Sequence, residues 1–386
     1  MRVLVLTHVF PRAASDPSAP FLLTWAGALA DAGLDVGVVA PHDAGLPARQ
    51  VVAGVPVRLP RYAPERWERL AYRGEMHHIA RSPVGPPLVA ALLGRLAAAV
   101  RAQVRTGRPD VLHVHWWVPG AIVARLARVR VPTVVTLHGT DVALVEARPR
   151  LAGLARWALR GSDRIEAVST SLAERIEGAI GVPVDAVNPM PMLPERLALR
   201  VKPPPPAGAL RVLAVGRLVP EKGFADLVAA AARTRTPVRL TVVGLGPARD
   251  ALAAQARTLG VDLALPGALS PAELTRAYAS TDVVAQPSHS EGFGLVAAEA
   301  VVAGVPVVAT DAGGPRDLLD PDDLVPVGDV DALAAALDEV AADPARARKR
   351  VMLRAQTARA LLSPEAAAAR TIAGYEAVTD RATGNR

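Results

Sequence analysis

The chain lacks cysteine altogether and is poor in aromatic residues and in lysine. Its 386 residues include four Phe, four Tyr, five Trp and no Cys. A chain without cysteine can form neither a disulfide framework nor a thiolate metal site, which is compatible with a cytosolic protein. Lysine occurs only at positions 202, 222 and 349, so each lysine departs from the chain's preference for arginine.

Long hydrophobic runs are missing as well. The best candidate for a membrane span, residues 87–100, is interrupted by Arg95 and is shorter than the roughly 20 residues that a bilayer requires. The apolar start of the chain ends at Thr7 and His8, so it indicates a first buried strand rather than a signal peptide. We therefore expect a cytoplasmic protein, in solution or at the inner face of the membrane.

Positive charge is concentrated in the first half of the chain. Residues 1–200 hold 24 arginines and 16 acidic residues, a net charge of +8, whereas the remainder is nearly neutral. A basic half could attract an anionic acceptor or provide peripheral contact with a membrane. An arginine-rich coding bias is the simpler explanation. Because the arginines are scattered and no aromatic platform accompanies them, we expect no nucleic-acid partner.

Short Val-rich runs alternate with longer Ala/Leu-rich stretches along the whole chain. Continuous apolar runs are typical of parallel strands that are covered by helices on both faces. At this length the chain suits two domains. The predicted strands are Val3–Thr7, Val36–Ala40, Val111–His115, Thr133–Leu137 and Arg164–Val168 in the first half, and Arg211–Val215, Val238–Val243, Asp262–Leu265, Val283–Gln286 and Pro306–Ala309 in the second.

A proline-rich segment separates the two halves. We predict a first Rossmann-like domain over residues 1–202, a stiff linker over 203–208 and a second domain over 209–362. A final helix over 363–386 should pack back on the first domain. Two doubly wound parallel-sheet domains would face one another across a cleft at the carboxyl ends of their strands, which is the usual ligand position in such sheets.

A glycine-containing loop at residues 288–294 follows one of the predicted strands. The helix after it should begin near Leu295 and end at Gly304. Glycines let the backbone pass close to a ligand, and the free amides around Leu295 and Val296 would face an anion, helped by the helix dipole. The sequence therefore indicates an anion-binding turn at this point.

Glu299 lies inside that otherwise apolar helix, one turn deeper than Leu295 and on the same face. Charged residues are rarely buried without a partner. A carboxylate here would repel a phosphate but could accept two hydrogen bonds from a ribose diol. A structural glutamate satisfied by loop amides is the alternative, and this segment alone leaves both interpretations open.

A cationic loop follows the first strand of the second half. Arg217 and Lys222 lie between Gly216 and Gly223, an arrangement suited to a diphosphate. A solvated surface loop is the alternative interpretation. Residues 244–246 end the next strand and resemble half of a dinucleotide fingerprint, which is a weak indication because the third glycine is missing.

The first half offers histidines near the ends of two strands. His113 and His115 alternate along one strand and should point to the same side, while His138 and Asp141 close the next strand. Three histidines could hold a metal, but no carboxylate lies at ligand spacing, so hydrogen bonding within the cleft is the better account.

Two Asp-x-Asp pairs raise the same question of a metal. The pair at Asp320 and Asp322 falls in a proline-containing turn. The pair at Asp329 and Asp331 starts a helix over Ala332–Val340, with Asp329 as its N-cap. We therefore expect neither a metal site nor any other cofactor.

Taken together, these segments resemble family 4 of the retaining, nucleotide-sugar-dependent glycosyltransferases, which have the GT-B fold of two facing Rossmann-like domains. The resemblance runs nearly end to end, and two glutamates separated by seven residues form its most specific motif. The segments that carry it are Phe10-Pro11, residues 110–115, residues 138–141, Ala167-Val168-Ser169, residues 216–223 and residues 291–299.

The resemblance implies roles for individual residues. Glu299 would bind the ribose hydroxyls, and Arg217 and Lys222 would bind the diphosphate. Glu291 and His138 would contact the donor sugar, His138 from the opposite domain. Further donor contacts would come from Gly216, Gly292, Phe293, Gly294 and the amides of Leu295 and Val296, and the acceptor side would include Phe21, His113, His115 and Asp141.

Three segments depart from the pattern of the family. Residues 188–192 read Asn-Pro-Met-Pro-Met where the family has Asn-Gly-Val-Asp, and residues 313–317 end in an aspartate where a glutamate is expected. Residues 15–21 replace a glycine-rich loop that helps to receive the acceptor. The resemblance therefore says least about the identity of the acceptor.

The function expected from this resemblance is retaining, metal-independent transfer of a hexose-type sugar. The donor would be a UDP- or GDP-linked sugar, and the acceptor a hydroxyl group of a polysaccharide, a glycolipid or a small-molecule glycoside. Two alternatives use the same fold, namely a sugar phosphorylase or nucleotide-sugar epimerase, and a nucleotide-sugar-binding protein without turnover. Release of nucleoside diphosphate only when an acceptor is present would separate these possibilities.

Overall fold

Two compact α/β units make up the chain in the computed structural model, which describes residues 1–16, 18–72, 82, 84–202 and 208–384. The first unit comprises Met1–Leu193 and Pro364–Arg386, and the second comprises Pro194–Ser363. Most of the predicted linker, 203–207, lies outside the described residues. The second unit begins before the predicted boundary because the short helix Pro194–Leu197 packs on a helix of that unit.

The first unit is built on an eight-stranded sheet in the order β3-β4-β2-β1-β5-β6-β7-β8, parallel except for the β3–β4 hairpin. Its interior is formed by continuous Val- and Leu-rich strands, and β5 and β6 are buried along their whole length. The strands are β1 (Arg2–Leu6), β2 (Asp35–Val39), β3 (Arg49–Val52), β4 (Val55–Arg58), β5 (Val111–His115), β6 (Thr133–Leu137), β7 (Arg164–Ala167) and β8 (Ala186–Val187).

Helices cover this sheet, and the last helix of the chain is one of them. They are α1 (Pro20–Asp31), α2 (Gly85–Gly107), α3 (Ile122–Ala127), α4 (Thr140–Glu146), α5 (Ala152–Leu159), α6 (Thr170–Ile180) and α14 (Pro364–Gly384). The α14 helix packs on α1, where the Trp25 indole donates to the Thr371 hydroxyl at 3.1 Å. Residues from the end of the chain therefore complete the first unit.

The second unit has a fully parallel six-stranded sheet in the order β11-β10-β9-β12-β13-β14. Its strands are β9 (Leu210–Val215), β10 (Val238–Val243), β11 (Asp262–Gly267), β12 (Val283–Gln286), β13 (Val307–Thr310) and β14 (Leu324–Val325). Its helices are α7 (Pro194–Leu197), α8 (Phe224–Ala231), α9 (Arg249–Leu259), α10 (Pro271–Ala279), α11 (Leu295–Ala303), α12 (Val330–Ala342) and α13 (Pro344–Leu362).

The predicted fold class is confirmed, and all ten predicted strands are present within one or two residues of the predicted bounds. The prediction missed β3, β4, β8 and β14. β8 and β14 are two residues long, and β3 and β4 form a hairpin around Ala53 and Gly54, both with positive φ. β8 and β14 are too short for a periodic signal, and β3 and β4 are only partly buried, so they lack the continuous apolar run of a buried parallel strand.

One helix among the described residues, α2, has the length and composition to cross a membrane despite Arg95. The core helix of a soluble protein meets the same criterion, so one such helix is weak evidence of a membrane span.

Candidate active site

The glycine-containing loop of the second unit joins the buried end of β12 to the start of α11. The helix begins at Leu295 and is followed by Gly304, as predicted. The Gln286 side chain accepts from the Ala297 amide at 2.8 Å, which satisfies one of the first helical N–H groups. The backbone amides of Leu295 and Val296, which precede Ala297, have no acceptor among the described residues. The turn therefore presents two free N–H donors.

Gln286 was not predicted as a site residue. Its Oε1 is occupied by the helix amide, whereas its Nε2 is buried and has no partner among the residues that the structure describes. A buried amide nitrogen without an acceptor is costly. A polar side chain at the end of a buried strand, directly before Pro287, was the signal in the sequence that could have identified it.

The cationic loop after β9 is held against the loop after β12. The His289 amide donates to the Glu221 carbonyl at 2.9 Å. Gly223 adopts φ +64°, and a Cβ atom there would lie 1.8 Å from the Pro287 carbonyl oxygen, so only glycine permits this approach. The close packing brings Lys222 beside the glutamate of the second loop.

Lys222 and Glu291 form an ion pair within the second unit. The Lys222 ammonium donates to Glu291 Oε1, and the Ser288 hydroxyl donates to the same oxygen at 2.8 Å. Both charged side chains are largely buried, with 25% and 14% of their surfaces exposed. The sequence predicted that both residues lie in the site, but it did not predict that they pair or that Ser288 joins them.

A third loop closes on the same segment. The Glu291 amide donates to the Ala312 carbonyl at 3.0 Å, and a Cβ atom on Gly314 would lie 2.3 Å from Phe293 Cα. This contact explains why glycine is needed at 314, and it leaves Phe293 buried. Arg316, which lies in the segment that departs from the family pattern, pairs with Asp311.

Glu299 is largely buried on α11 and has two partners that were not predicted. The Tyr278 hydroxyl donates to Glu299 Oε2 at 2.9 Å, and Arg196 Nε lies 4.0 Å from Oε1. Burial raises the pKa of the Glu299 carboxyl, and Arg196 and the Tyr278 hydrogen bond offset part of that shift. No sequence pattern links Tyr278 or Arg196 with Glu299, because they lie 21 and 103 positions away along the chain.

Arg217 extends from the same cationic loop and is exposed. Backbone hydrogen bonds from Gly216 to Val243 and from Leu218 to Leu245, at 2.9 and 2.8 Å, bind this loop to the end of β10. The structure therefore brings four predicted elements together at one edge of the second sheet: the cationic loop, the start of α11, Glu291 and Glu299.

In the first unit, His115 and His138 form a pair. His115 Nδ1 lies 3.0 Å from His138 Nε2, and the ring of His138 lies against Trp116 at 4.2 Å between centroids. Phe21 is 5.5 Å from the same ring. His115 Nε2 is buried without a partner in the described part of the chain, and Trp116 has φ +64°, a conformation that is costly for tryptophan.

His113 and Asp141, which were predicted to lie on the acceptor side, are buried and bonded to other groups of the first unit. His113 is fully buried, and its nitrogens contact the hydroxyls of Tyr375 at 2.7 Å and Thr136 at 2.9 Å, so none is left for a substrate. Asp141 is 3% exposed and accepts from the Gly139 amide at 3.0 Å, which shapes the turn after β6. In this structure, both side chains satisfy buried groups of the protein itself, and their assignment to the acceptor side stays a prediction.

The histidines of this cluster are kept neutral. Burial lowers the pKa of His113 to about 3 and that of His8 to about 4, and it lowers the pKa values of His115 and His138 well below the usual value. As predicted, His113 and His115 point to one side, where their rings stack at 4.6 Å.

No cluster of three or more His, Asp or Glu side chains that could hold a metal occurs in the described ranges. Of the two Asp-x-Asp pairs, Asp320 contacts Arg354 at 2.8 Å, Asp329 caps α12 and Asp331 pairs with Arg233 at 2.6 Å.

Two family profiles match most of the chain. The profile described as glycosyltransferase family 4 covers residues 19–191, and the profile described as glycosyl transferases group 1 covers residues 195–358. A 2-deoxystreptamine N-acetyl-D-glucosaminyltransferase of Streptomyces fradiae is 32% identical over 327 residues, 74% of this chain and 77% of that protein. The chain belongs to the group 1 glycosyl transferases.

Other comparisons add a further relative and two solved structures of similar fold. Glycogen synthase of Mycobacterium tuberculosis (strain CDC 1551 / Oshkosh) is 33% identical over 64% of this chain, and the match spans 63% of that enzyme, just under two thirds of its length. Sucrose-phosphate synthase from Thermosynechococcus elongatus has a similar structure, with a TM-score of 0.80 and 21% identity over 99% of this chain and 100% of that one. Anabaena HepE in complex with UDP also has a similar structure, with a TM-score of 0.71 and 20% identity over 98% of this chain and 100% of that one.

Proposed function

We propose that this group 1 glycosyltransferase moves a hexose-type sugar from a nucleoside diphosphate to a hydroxyl acceptor with retention of anomeric configuration and without a metal ion. The donor would be UDP- or GDP-linked, and the acceptor a polysaccharide, a glycolipid or a small-molecule glycoside. Several relatives have names that describe glycosyl transfer to a small molecule, among them D-inositol 3-phosphate glycosyltransferase of Kineococcus radiotolerans, 33% identical over 71% of this chain and 72% of that protein.

The observation that carries the proposal is the row of polar groups along the start of α11. Glu299 lies one helical turn, about 6 Å, deeper than Leu295. The two unpaired amides lie at the helix start, and the Lys222–Glu291 pair lies on the loop before it. Ribose, diphosphate and sugar follow one another in the same order along a nucleotide sugar.

Each group in this row has a chemical role that follows from its type. The Glu299 carboxylate accepts hydrogen bonds from the ribose diol. The amides of Leu295 and Val296, the helix dipole and the cations Lys222 and Arg217 stabilise the negative charge that develops on the departing diphosphate. Arrival of the diphosphate gives Lys222 a second anionic partner beside Glu291.

Glu291 faces the sugar end of this row. Its carboxylate is held by the Ser288 hydroxyl as well as by Lys222, so its position does not depend on the lysine alone. Departure of the diphosphate and attack by the acceptor on the same face of the sugar would preserve the configuration of the reacting carbon. His138 is proposed as a further sugar contact.

The test is an assay of nucleoside diphosphate release from UDP-, GDP- and ADP-linked sugars, with and without a panel of hydroxyl acceptors. We expect release that depends on an acceptor, survives EDTA and yields a product with the anomeric configuration of the donor by proton NMR. Phosphate-dependent turnover would indicate a phosphorylase, and a changed donor sugar an epimerase. Loss of activity with EDTA and its recovery with Mn²⁺ would contradict the metal-free mechanism.

A further inference from the structure

Three helices of the first unit, α2, α3 and α5, contain no acidic residue. Residues 84–162 as a whole hold eleven arginines and only three acids. Those three acids are engaged elsewhere: Asp110 accepts from the Arg2 amide at 2.7 Å, Asp141 is buried, and Glu146 pairs with Arg175. The positive charge of these helices is therefore not neutralised locally. Because α3 packs against both α2 and α5, the three form one continuous surface, here called the α2–α3–α5 face.

A cationic groove lies on this face. Arg101 and Arg105 of α2 and Arg128, which follows α3, line it together with Val104 and Val129, around a volume of about 430 Å³. All three arginines are exposed, and none of them forms an ion pair with an acidic side chain within the described residues. Three like charges that share one groove repel one another, and an anionic partner would relieve that repulsion.

Large apolar side chains are exposed on α3 and α5 of the same face. Leu126 of α3 and Leu154 and Trp157 of α5 are 41%, 43% and 41% exposed. Leu154 and Trp157 are three residues apart and therefore share one side of α5. The Arg125 guanidinium lies 5.8 Å from the centre of the Trp157 ring. Tryptophan flanked by arginine is suited to the boundary between lipid headgroups and acyl chains, where an apolar body and a polar edge are both accommodated.

We propose that the α2–α3–α5 face docks on the surface of an anionic phospholipid membrane. The groove supplies cations for lipid phosphates, and the exposed leucines and tryptophan supply apolar contact with the bilayer. A second copy of the chain fits this face poorly, because a two-fold contact would place the same unneutralised arginines opposite each other. The proposal concerns binding only and does not depend on the sugar-transfer reaction.

Flotation of the full chain with vesicles tests the proposal. We expect binding to vesicles of phosphatidylcholine with 30 mol% phosphatidylglycerol (about one third anionic lipid), little binding to phosphatidylcholine alone, and loss of binding as salt is raised. The triple variant Arg101→Gln/Arg105→Gln/Arg128→Gln should bind the anionic vesicles on the order of a hundredfold more weakly, since each arginine near the surface contributes about a factor of five.

A matched triple variant controls for net charge. Arg257, Arg276 and Arg346 are exposed on helices of the second unit, and their replacement by Gln removes the same three charges. This variant should bind nearly as the native chain does. Equal loss in both triple variants would assign the binding to net charge and would overturn the role of the face.

Trp157 provides an independent readout. Anionic vesicles should shift the tryptophan emission of the native chain to the blue, and they should not do so in Trp157→Phe. Trp157→Ala should weaken vesicle binding roughly tenfold, because the apolar contact of the indole with the bilayer is lost. Leu353→Ala is the apolar control, since Leu353 is 74% exposed in the second unit. Equal binding to neutral and anionic vesicles, or self-association that Trp157→Ala abolishes, would contradict the proposal.

Discussion

Glu299 is a carboxylate whose surroundings determine its ionisation. Burial raises its pKa, and the Tyr278 hydroxyl and Arg196 counteract that shift by stabilising the charged form. The ionised carboxylate is the stronger acceptor for the two hydroxyls of a diol, because both of its oxygens are charged and neither carries a proton. The ability of this residue to bind ribose should therefore be lost at a higher pH than for an ordinary glutamate.

The first prediction concerns nucleotide affinity at Glu299. Glu299→Ala should weaken nucleoside diphosphate binding roughly ten- to a hundredfold, because hydrogen bonds to a charged acceptor are lost. Affinity in the native chain should fall as the pH drops through the raised pKa. Tyr278→Phe should move this fall to higher pH, because the carboxylate loses a stabilising donor. Calorimetry across pH measures both effects, and unchanged affinity in Glu299→Ala would exclude the ribose role.

Lys222 is one of three lysines in the chain and is held by Glu291. The second prediction is that Lys222→Ala weakens binding of nucleoside diphosphate at least tenfold while binding of the free nucleoside changes little. The exposed Lys349 on α13 offers a matched control, and Lys349→Ala should bind both ligands normally. If Lys222→Ala weakens nucleoside and diphosphate binding equally, the cation does not contact the phosphates.

At the scale of elements, the candidate site depends on how closely the loops after β9, β12 and β13 approach one another. Each approach uses a glycine with no room for a side chain, at 223 and at 314. The loops follow the carboxyl ends of three different strands, and a parallel sheet brings those ends to a single edge. The geometry of the site is thus a property of loop packing as much as of its charged residues.

The third prediction follows from that packing. Gly223→Ala should both destabilise the second unit and weaken nucleoside diphosphate binding more than tenfold, because the new methyl group meets the Pro287 carbonyl. Gly260 is the matched control, since it also has positive φ but no atom lies within 4 Å of the position that a methyl group would take there. Gly260→Ala should cost about 1 kcal/mol of stability and leave affinity unchanged. Denaturant unfolding and calorimetry separate the two effects.

At the scale of the whole molecule, the chain returns to its first unit with its last helix. The Tyr375 hydroxyl on α14 contacts His113, and Thr371 contacts both Trp25 and Asn188. All three partners lie in the first 193 residues. All five tryptophans also belong to the first unit, so tryptophan fluorescence reports the unfolding of that unit alone.

The fourth prediction uses this signal. Tyr375→Phe should destabilise the first unit by about 1–3 kcal/mol, because the buried His113 nitrogen loses its partner, and Tyr375→Ala by about 3–5 kcal/mol, because a cavity is added. Glu376→Ala, an exposed neighbour on the same helix, should have little effect. Equal stability of Tyr375→Ala and the native chain would show that α14 does not support the first unit.

The fifth prediction concerns turnover and involves one residue from each unit. Glu291→Ala and His138→Ala should bind free nucleoside diphosphate nearly normally and lose most of their transfer rate, because both are assigned to the sugar rather than to the nucleotide. Calorimetry measures the binding of nucleoside diphosphate, and an assay of product formation with the preferred donor measures the transfer rate. Normal turnover in both variants, or an inverted product, would contradict the proposed mechanism even though the fold is correct.

Much of the second unit could be predicted from local sequence. Uninterrupted Val-rich runs identify parallel strands, because such strands are buried on both faces and need no polar alternation. Glycines and charged residues directly after those runs mark the loops at the strand ends, which is why residues 216–223 and 291–299 were found. The start of α11 at Leu295 follows from the same local pattern.

Only the tertiary structure decided which side chains meet. Lys222 pairs with Glu291, Tyr278 with Glu299, and His113 with Tyr375, across 69, 21 and 262 positions of sequence. Propensity and periodicity act over a few residues and carry no information about partners so far apart. The sequence alone therefore determined the two sheets and the loops that carry the charges. Packing between distant segments decided that His113 meets a tyrosine of the last helix, and that Glu299 is held by a tyrosine and an arginine.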